Sequence, residues 1–142
     1  MILLPVPASD LDRLWPLVLP FAEQMERRFP DDWPAFETLR QARETLQLWL
    51  VLEPAERTIY AAVGTTIVLK PTGKRVFRVK WAAGRQMRRW VHLVNDFDAV
   101  ARDNDCTGIE IDPGSRGGWQ RFLPDWRARP TLIMSKELNG IR

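Results

Sequence analysis

A chain of 142 residues, 45% apolar and with a formal net charge of +3, fits one globular domain, 1–142, burying roughly two-thirds of the surface its unfolded form would expose. Cys106 and His92 are the single cysteine and the single histidine; these counts exclude an intramolecular disulfide and a zinc site with several such ligands, leave His92 as the one base for a nucleophile–histidine relay, and suit an intracellular life. The basic balance, with a pI near 9.5, permits an anionic partner, but the lysines and arginines are spread along the chain rather than gathered in the dense stripe of a dedicated nucleic-acid binder.

In chain order, MILLPVPASDLDRLW is apolar but has no basic leader and is interrupted by prolines. No apolar run reaches the ~18 residues of a membrane span, so the expectation is a soluble protein without membrane contact. Residues 2–6 predict a short strand in which Pro5 suits a sheet edge or end. Ser9 is placed to cap a helix beginning at Asp10, with Asp12 in its first turn. Leu11, Leu14, Trp15, Val18, Phe21, Ala22 and Met25 recur at spacings of three and four, a helical face, and Pro16 and Pro20 predict a kink or two short helices. Asp31 or Asp32 is expected to cap a second helix over 33–45, with Pro34 near its start and Phe36, Leu39, Gln41, Ala42 and Leu46 as a modest inner stripe.

From residue 46 the period changes to two. LQLWLVLE, RTIYAAVGTTIVLK, the turn PTGK and RVFRVKW predict an antiparallel meander, with Arg78 and Lys80 keeping at least one face wet. Residues 86–103 predict one long helix, since Met87, Trp90, Val94, Phe97 and Ala101 repeat by three and four and Leu93 and Val100 widen the stripe. His92 lies off that stripe, at a rim or in solvent. CTGIEI at 106–111 predicts a strand, DPGSRGG a turn, GWQRFLPDW a short helix that Pro124 ends or bends, and TLIMSKEL at 131–138 the last strand. Seven tryptophans at irregular spacing read as core and rim rather than as a stacking surface for bases or sugars.

The order strand, two helices, three-stranded meander, long helix, strand, short helix, strand resembles the GNAT superfamily of N-acetyltransferases over nearly the whole chain. The resemblance implies an α+β (α/β) fold, a mixed and mostly antiparallel central sheet flanked by helices. QLWLV at 47–51, RVKWAAGRQMRRW at 78–90, and IEIDPGSRGGWQRFLPDW followed by TLIMSKEL are most similar to the short, divergent GNAT-like proteins encoded by bacteriophages and prophages.

Enzymes of the superfamily hold the acetyl-CoA pyrophosphate with a loop of the form Arg/Gln-x-x-Gly-x-Gly/Ala, because small residues let successive backbone N–H groups approach phosphates at a helix N-terminus. Laid on 81–86, that form meets Trp81 in place of Arg or Gln, Gly84 in its glycine position and Gln86 in place of the second small residue. One defining position in three matches. The resemblance makes Trp81, Ala83, Gly84, Arg85, Gln86 and Arg88 the candidate cofactor-binding residues. Arg85, Arg88 and Arg89 oppose the dipole of the helix they open, which costs a few tenths of a kcal/mol each, so an anion is expected near them. It is a cofactor phosphate, a nucleic-acid backbone, or a carboxylate of this chain or of a neighbouring subunit.

The family also often places a carboxylate base on the meander and a tyrosine acid after the fifth strand. Here the one tyrosine is Tyr60, in the meander, and Phe122 and Trp126 occupy the other region. Glu53 and Glu56 adjoin a turn at Pro54, where solvated acids are usual. Arg116, Gly117, Gly118 and Trp119 read as a turn pinned to the sheet, and little chain follows TLIMSKEL to form a closing hairpin strand. No catalytic residue, metal or cofactor is assigned. The expectation is a GNAT scaffold kept for binding, with a protein partner or a second copy, cytoplasmic in a bacterial host or associated with a virion. The alternatives are an active N-acyltransferase using acetyl-CoA, and a nucleic-acid-binding module.

Overall fold

A computed structural model describes residues 1–111 together with Leu123, Trp126 and Lys136. Its described elements are β1 (Ile2–Pro5), a 3₁₀ turn (Ala8–Asp10), α1 (Leu11–Arg28), α2 (Ala35–Glu44), β2 (Gln47–Glu53), β3 (Thr58–Leu69), β4 (Arg75–Gly84), α3 (Met87–Trp90), a 3₁₀ segment (Val91–Asp96), α4 (Phe97–Asp103) and β5 (Gly108–Ile111). The strands form one sheet in the order β1-β2-β3-β4-β5. The first four are mutually antiparallel, and β5 runs parallel to β4 with Val76 opposite Gly108 and Val79 opposite Ile111. The α+β class and the mixed, mostly antiparallel sheet follow as expected. The turn, helix and strand expected beyond residue 111 lie outside the described residues.

Two apolar layers sandwich the sheet. Leu48, Leu50, Ala62, Trp81 and Ala83 face α1, together with Val18, Ala22 and Met25 of that helix. Trp49, Val51, Val63, Phe77 and Val79 face the 87–103 segment, packing with Trp90, Val94 and Phe97. Alternation alone would put Val79 and Trp81 on the same face. They are on opposite faces because the β3–β4 register shifts, Gly64 pairing with Trp81 and Thr65 with Val79, which leaves Lys80 as a bulge. A bulged residue re-aims everything after it by one step.

Five local expectations are corrected. Ser9 does not cap α1: the 3₁₀ turn started by Pro7 leads directly into it, the Asp10 N–H donates to the Pro7 carbonyl at 2.9 Å, and no side chain caps the first turn. The two short helices allowed for at Pro16 and Pro20 do not form: α1 is a single element through both prolines. The amide missing at Pro16 would have bonded Asp12, and that at Pro20 would have bonded Pro16. All three residues are exposed, so water can satisfy the freed carbonyls.

Neither Asp31 nor Asp32 caps α2. Pro34 sits extended just before it, and Glu26 of α1 accepts the Ala35 N–H at 2.9 Å. Phe36 is 71% exposed rather than part of an inner stripe, while Thr38 is fully buried.

Finally, the 86–103 segment is not one long helix. It divides into α3, the 3₁₀ segment and α4, because Trp, Val, His, Asn and Asp are all mediocre helix formers. The spacing of Val91, Val94 and Phe97, all buried, matches the three-residue turn of a 3₁₀ helix. His92 is exposed, as its position off the stripe implied.

Candidate functional site

The end of the sheet where β3 begins and β4 finishes gathers most residues singled out from the sequence. A register shift in the β2–β3 ladder, with Val51 opposite Ala61 and Leu52 opposite Ile59, leaves Tyr60 as a bulge. This bulge turns Tyr60, 95% buried, into the layer beneath α3. Its hydroxyl donates to Glu56 Oε2 and accepts from Arg89 Nη1 at 2.7 Å. Arg89 Nη2 donates to Glu56 Oε1 at 3.1 Å, so the three side chains close a ring. Arg85 and Arg89 both pack on the Tyr60 ring, their guanidinium carbons 5.2 and 4.7 Å from its centroid.

Charge and hydrogen bonding set the protonation of this ring. The Tyr60 hydroxyl and then Arg89 hold the Glu56 carboxyl below its ordinary range. The same carboxylate, followed by burial, pushes the Tyr60 phenol up, and Glu56 also raises Arg89. Both shifts are unfavourable for acid–base work near neutrality, which needs a carboxylate raised toward 7 or a phenol lowered toward it. Within the chain, Glu56 is a carboxylate beside Arg89. Glu53 lies 3.2 Å from the Met1 amino nitrogen.

The six candidate cofactor residues separate into two environments. Trp81 and Ala83, each 1% exposed, are built into the core beneath α1. Among the described residues the indole N–H of Trp81 has no hydrogen-bond partner. Gly84 is the last residue of β4, opposite Ala61. A Cβ there would meet the Tyr60 carbonyl and the Ala61 Cβ, and would lie 2.7 Å from the Ala61 Cα. The Gly84 carbonyl accepts from Gln24 of α1 at 3.0 Å. Arg85, Gln86 and Arg88 are exposed, and the Arg85 N–H donates to the Tyr60 carbonyl at 3.0 Å, which extends the ladder by one bond.

Only Arg85 and Gln86 separate β4 from α3. Gln86 bridges the gap in the left-handed region, at φ 52° and ψ 49°. This conformation costs a non-glycine residue about 1–2 kcal/mol, and it occurs at the position where the acetyl-CoA loop has a small residue. Gln86→Gly is accordingly expected to stabilise the chain by about 0.5 kcal/mol, the relieved strain exceeding the added unfolded-state entropy and the loss of the exposed Arg89–Gln86 contact. Urea denaturation checks this; a loss of stability would mean that the side chain contributes more than its backbone costs.

What sequence reasoning missed was the pairing of Tyr60 with Glu56. Glu56 lies in the turn before β3 and Tyr60 at a bulge within it, so although they are four residues apart, neither helical spacing nor strand alternation applies between them.

No protein-family model matches the chain, and no curated protein matches it by sequence. Solved structures do. A probable acetyltransferase superposes with a TM-score of 0.65 at 18% identity, over 96% of this chain and 100% of that one. The ribosomal-protein-alanine N-acetyltransferase of Brucella melitensis biovar Abortus gives 0.66 at 10%, over 96% and 100%. A GNAT family acetyltransferase of Staphylococcus aureus gives 0.60 at 15%, over 96% and 98%. The chain therefore has the GNAT acetyltransferase fold. At these identities the likeness concerns architecture, and chemistry has to be argued from the site.

Proposed function

We propose that this GNAT-fold chain works by binding rather than by acyl transfer. One observation carries the reading: where a pyrophosphate cradle needs a loop of free backbone amides, this chain has sheet. Strand β4 continues to Gly84, the Arg85 amide is bonded to β3, and two residues lead into a helix of only four. So short a helix has little macrodipole to offer a phosphate. The directions of the Glu56 and Tyr60 shifts support the same reading, since neither group is prepared to move a proton at neutral pH. The resemblance of several segments to phage and prophage proteins supports a place in a virion or its assembly, with a protein as the partner.

Isothermal titration with acetyl-CoA and desulfo-CoA tests this. No binding is expected at micromolar concentrations. Micromolar affinity that Arg85→Ala and Arg88→Ala weaken would overturn the reading in favour of an N-acyltransferase with an altered cofactor loop.

A further inference from the structure

Arg85 and Arg89 lean on the same tyrosine but use their guanidinium groups differently. Arg89 is consumed along its edge, donating to Tyr60, to Glu56 and, at 3.3 Å, to Gln86. Arg85 presents its guanidinium to the Tyr60 ring, and among the described residues no hydrogen bond or ion pair uses its side-chain N–H groups. A cation–π contact of this kind uses none of the guanidinium N–H donors, which form a planar fork that matches two oxygens of a carboxylate. The side chain is thus held in place with its donors unspent, which lowers the entropic cost of gripping an anion. Arg57, also exposed, adjoins Glu56 on the turn that faces this junction.

The ring also shows which anion suits the place. A carboxylate, that of Glu56, already bridges Tyr60 and Arg89. Its ion pair with Arg89 is exposed, with side-chain accessibilities of 41% and 43%, so it is weak and can be exchanged. A handful of arginines confined to one turn and one strand end is too small for a nucleic-acid backbone, whose binding sums on the order of 6–10 phosphate contacts.

We infer that this end of the sheet is a docking surface for an acidic segment of a protein partner. Arg85 grips one of its carboxylates through both oxygens, and a second competes with Glu56 for Arg89. The inference rests on the binding reading above and names its partner class.

Fluorescence anisotropy with a fluorescein-labelled hexaglutamate peptide at low ionic strength, on the full chain, tests it. The expected result is saturable binding that added salt weakens, and that Arg85→Ala reduces by about tenfold, as befits loss of a charge-assisted, two-oxygen contact. Arg85→Lys keeps the charge but not the fork and should recover only part of that loss. Glu56→Gln leaves Tyr60 an acceptor, removes the internal competitor and should tighten binding. Circular dichroism melts confirm that each variant is folded.

No binding by the wild type, equal binding by wild type and Arg85→Ala, or no tightening in Glu56→Gln would overturn the inference, as would tighter binding of a labelled single-stranded oligonucleotide than of the peptide. An acetyl-CoA titration on the same samples separates the two readings: cofactor binding overturns the non-catalytic reading, whereas peptide results that ignore Arg85 overturn only the docking surface.

Discussion

Gly84→Ala is expected to lower the unfolding free energy by about 3 kcal/mol, at the upper end of overpacking costs, and the melting temperature by about 10 °C for a chain of this size. The added methyl group would run into the Tyr60 carbonyl and the α-carbon and β-carbon of Ala61. Two of these are backbone, in the middle of a ladder whose neighbours are fixed by the β3–β4 register. No side-chain rotation relieves such a contact, so the strands must part.

Two other glycines grade the effect. At Gly64 a methyl group would press on the Leu46 side chain at 3.0–3.1 Å, which can shift, so the cost should be smaller. At Gly108 nothing among the described residues lies within 4 Å, and the substitution should be close to neutral. Chemical denaturation of the three alanine variants therefore has an ordered outcome, and equal stabilities would sink the close-approach account. The series also separates two roles for Gly84. A glycine that only lets a phosphate near the backbone could lose ligand affinity while leaving stability unchanged.

The strands and helices were legible because period and punctuation are local. The meander follows from alternating residues around PTGK, and β1 from an apolar run whose proline sits at its end. The departures arise where tertiary contacts replaced a local solution. Helix α2 is capped from α1 by Glu26, a residue no capping pattern would connect to Ala35. The 87–103 segment has helical spacing but poor helix formers, and burial of Val91, Val94 and Phe97 against the sheet selects the tighter 3₁₀ turn.

The candidate site was legible in part for the same reason. The arginine cluster announced that an anion must be near, and the sequence left several sources open. The pairing of Arg89 with Glu56 depends on a bulge at Tyr60, and bulges leave little trace in the alternation of a mostly buried strand. Gly84 was legible as a glycine that something required. One requirement, the close approach of the neighbouring strand, is visible only once β4 is known to continue through it.

Phe97→Ala should be as damaging as any single truncation in the described core, at about 3–5 kcal/mol. Phe97 is 1% exposed and meets Trp49 edge-on, with ring centroids 5.0 Å apart at 69°, and Phe77 at 5.2 Å. Trp49 is itself fixed, its indole N–H donating to Thr65 Oγ1 at 2.9 Å, so it cannot swing into the space left behind, and the cavity term adds to the lost transfer energy. The loss should be concentrated in one layer. A four-residue helix, a 3₁₀ stretch and a seven-residue helix have almost no helical stability of their own, and what holds them is their contact with the sheet. Native-state hydrogen exchange should then show the amides of 91–101 losing protection in Phe97→Ala by far more than those of β2 and β3. A uniform loss across sheet and helices would instead mean that the segment unfolds only with the whole molecule, and Phe97→Leu, which refills much of the volume, should restore most of the protection in either case.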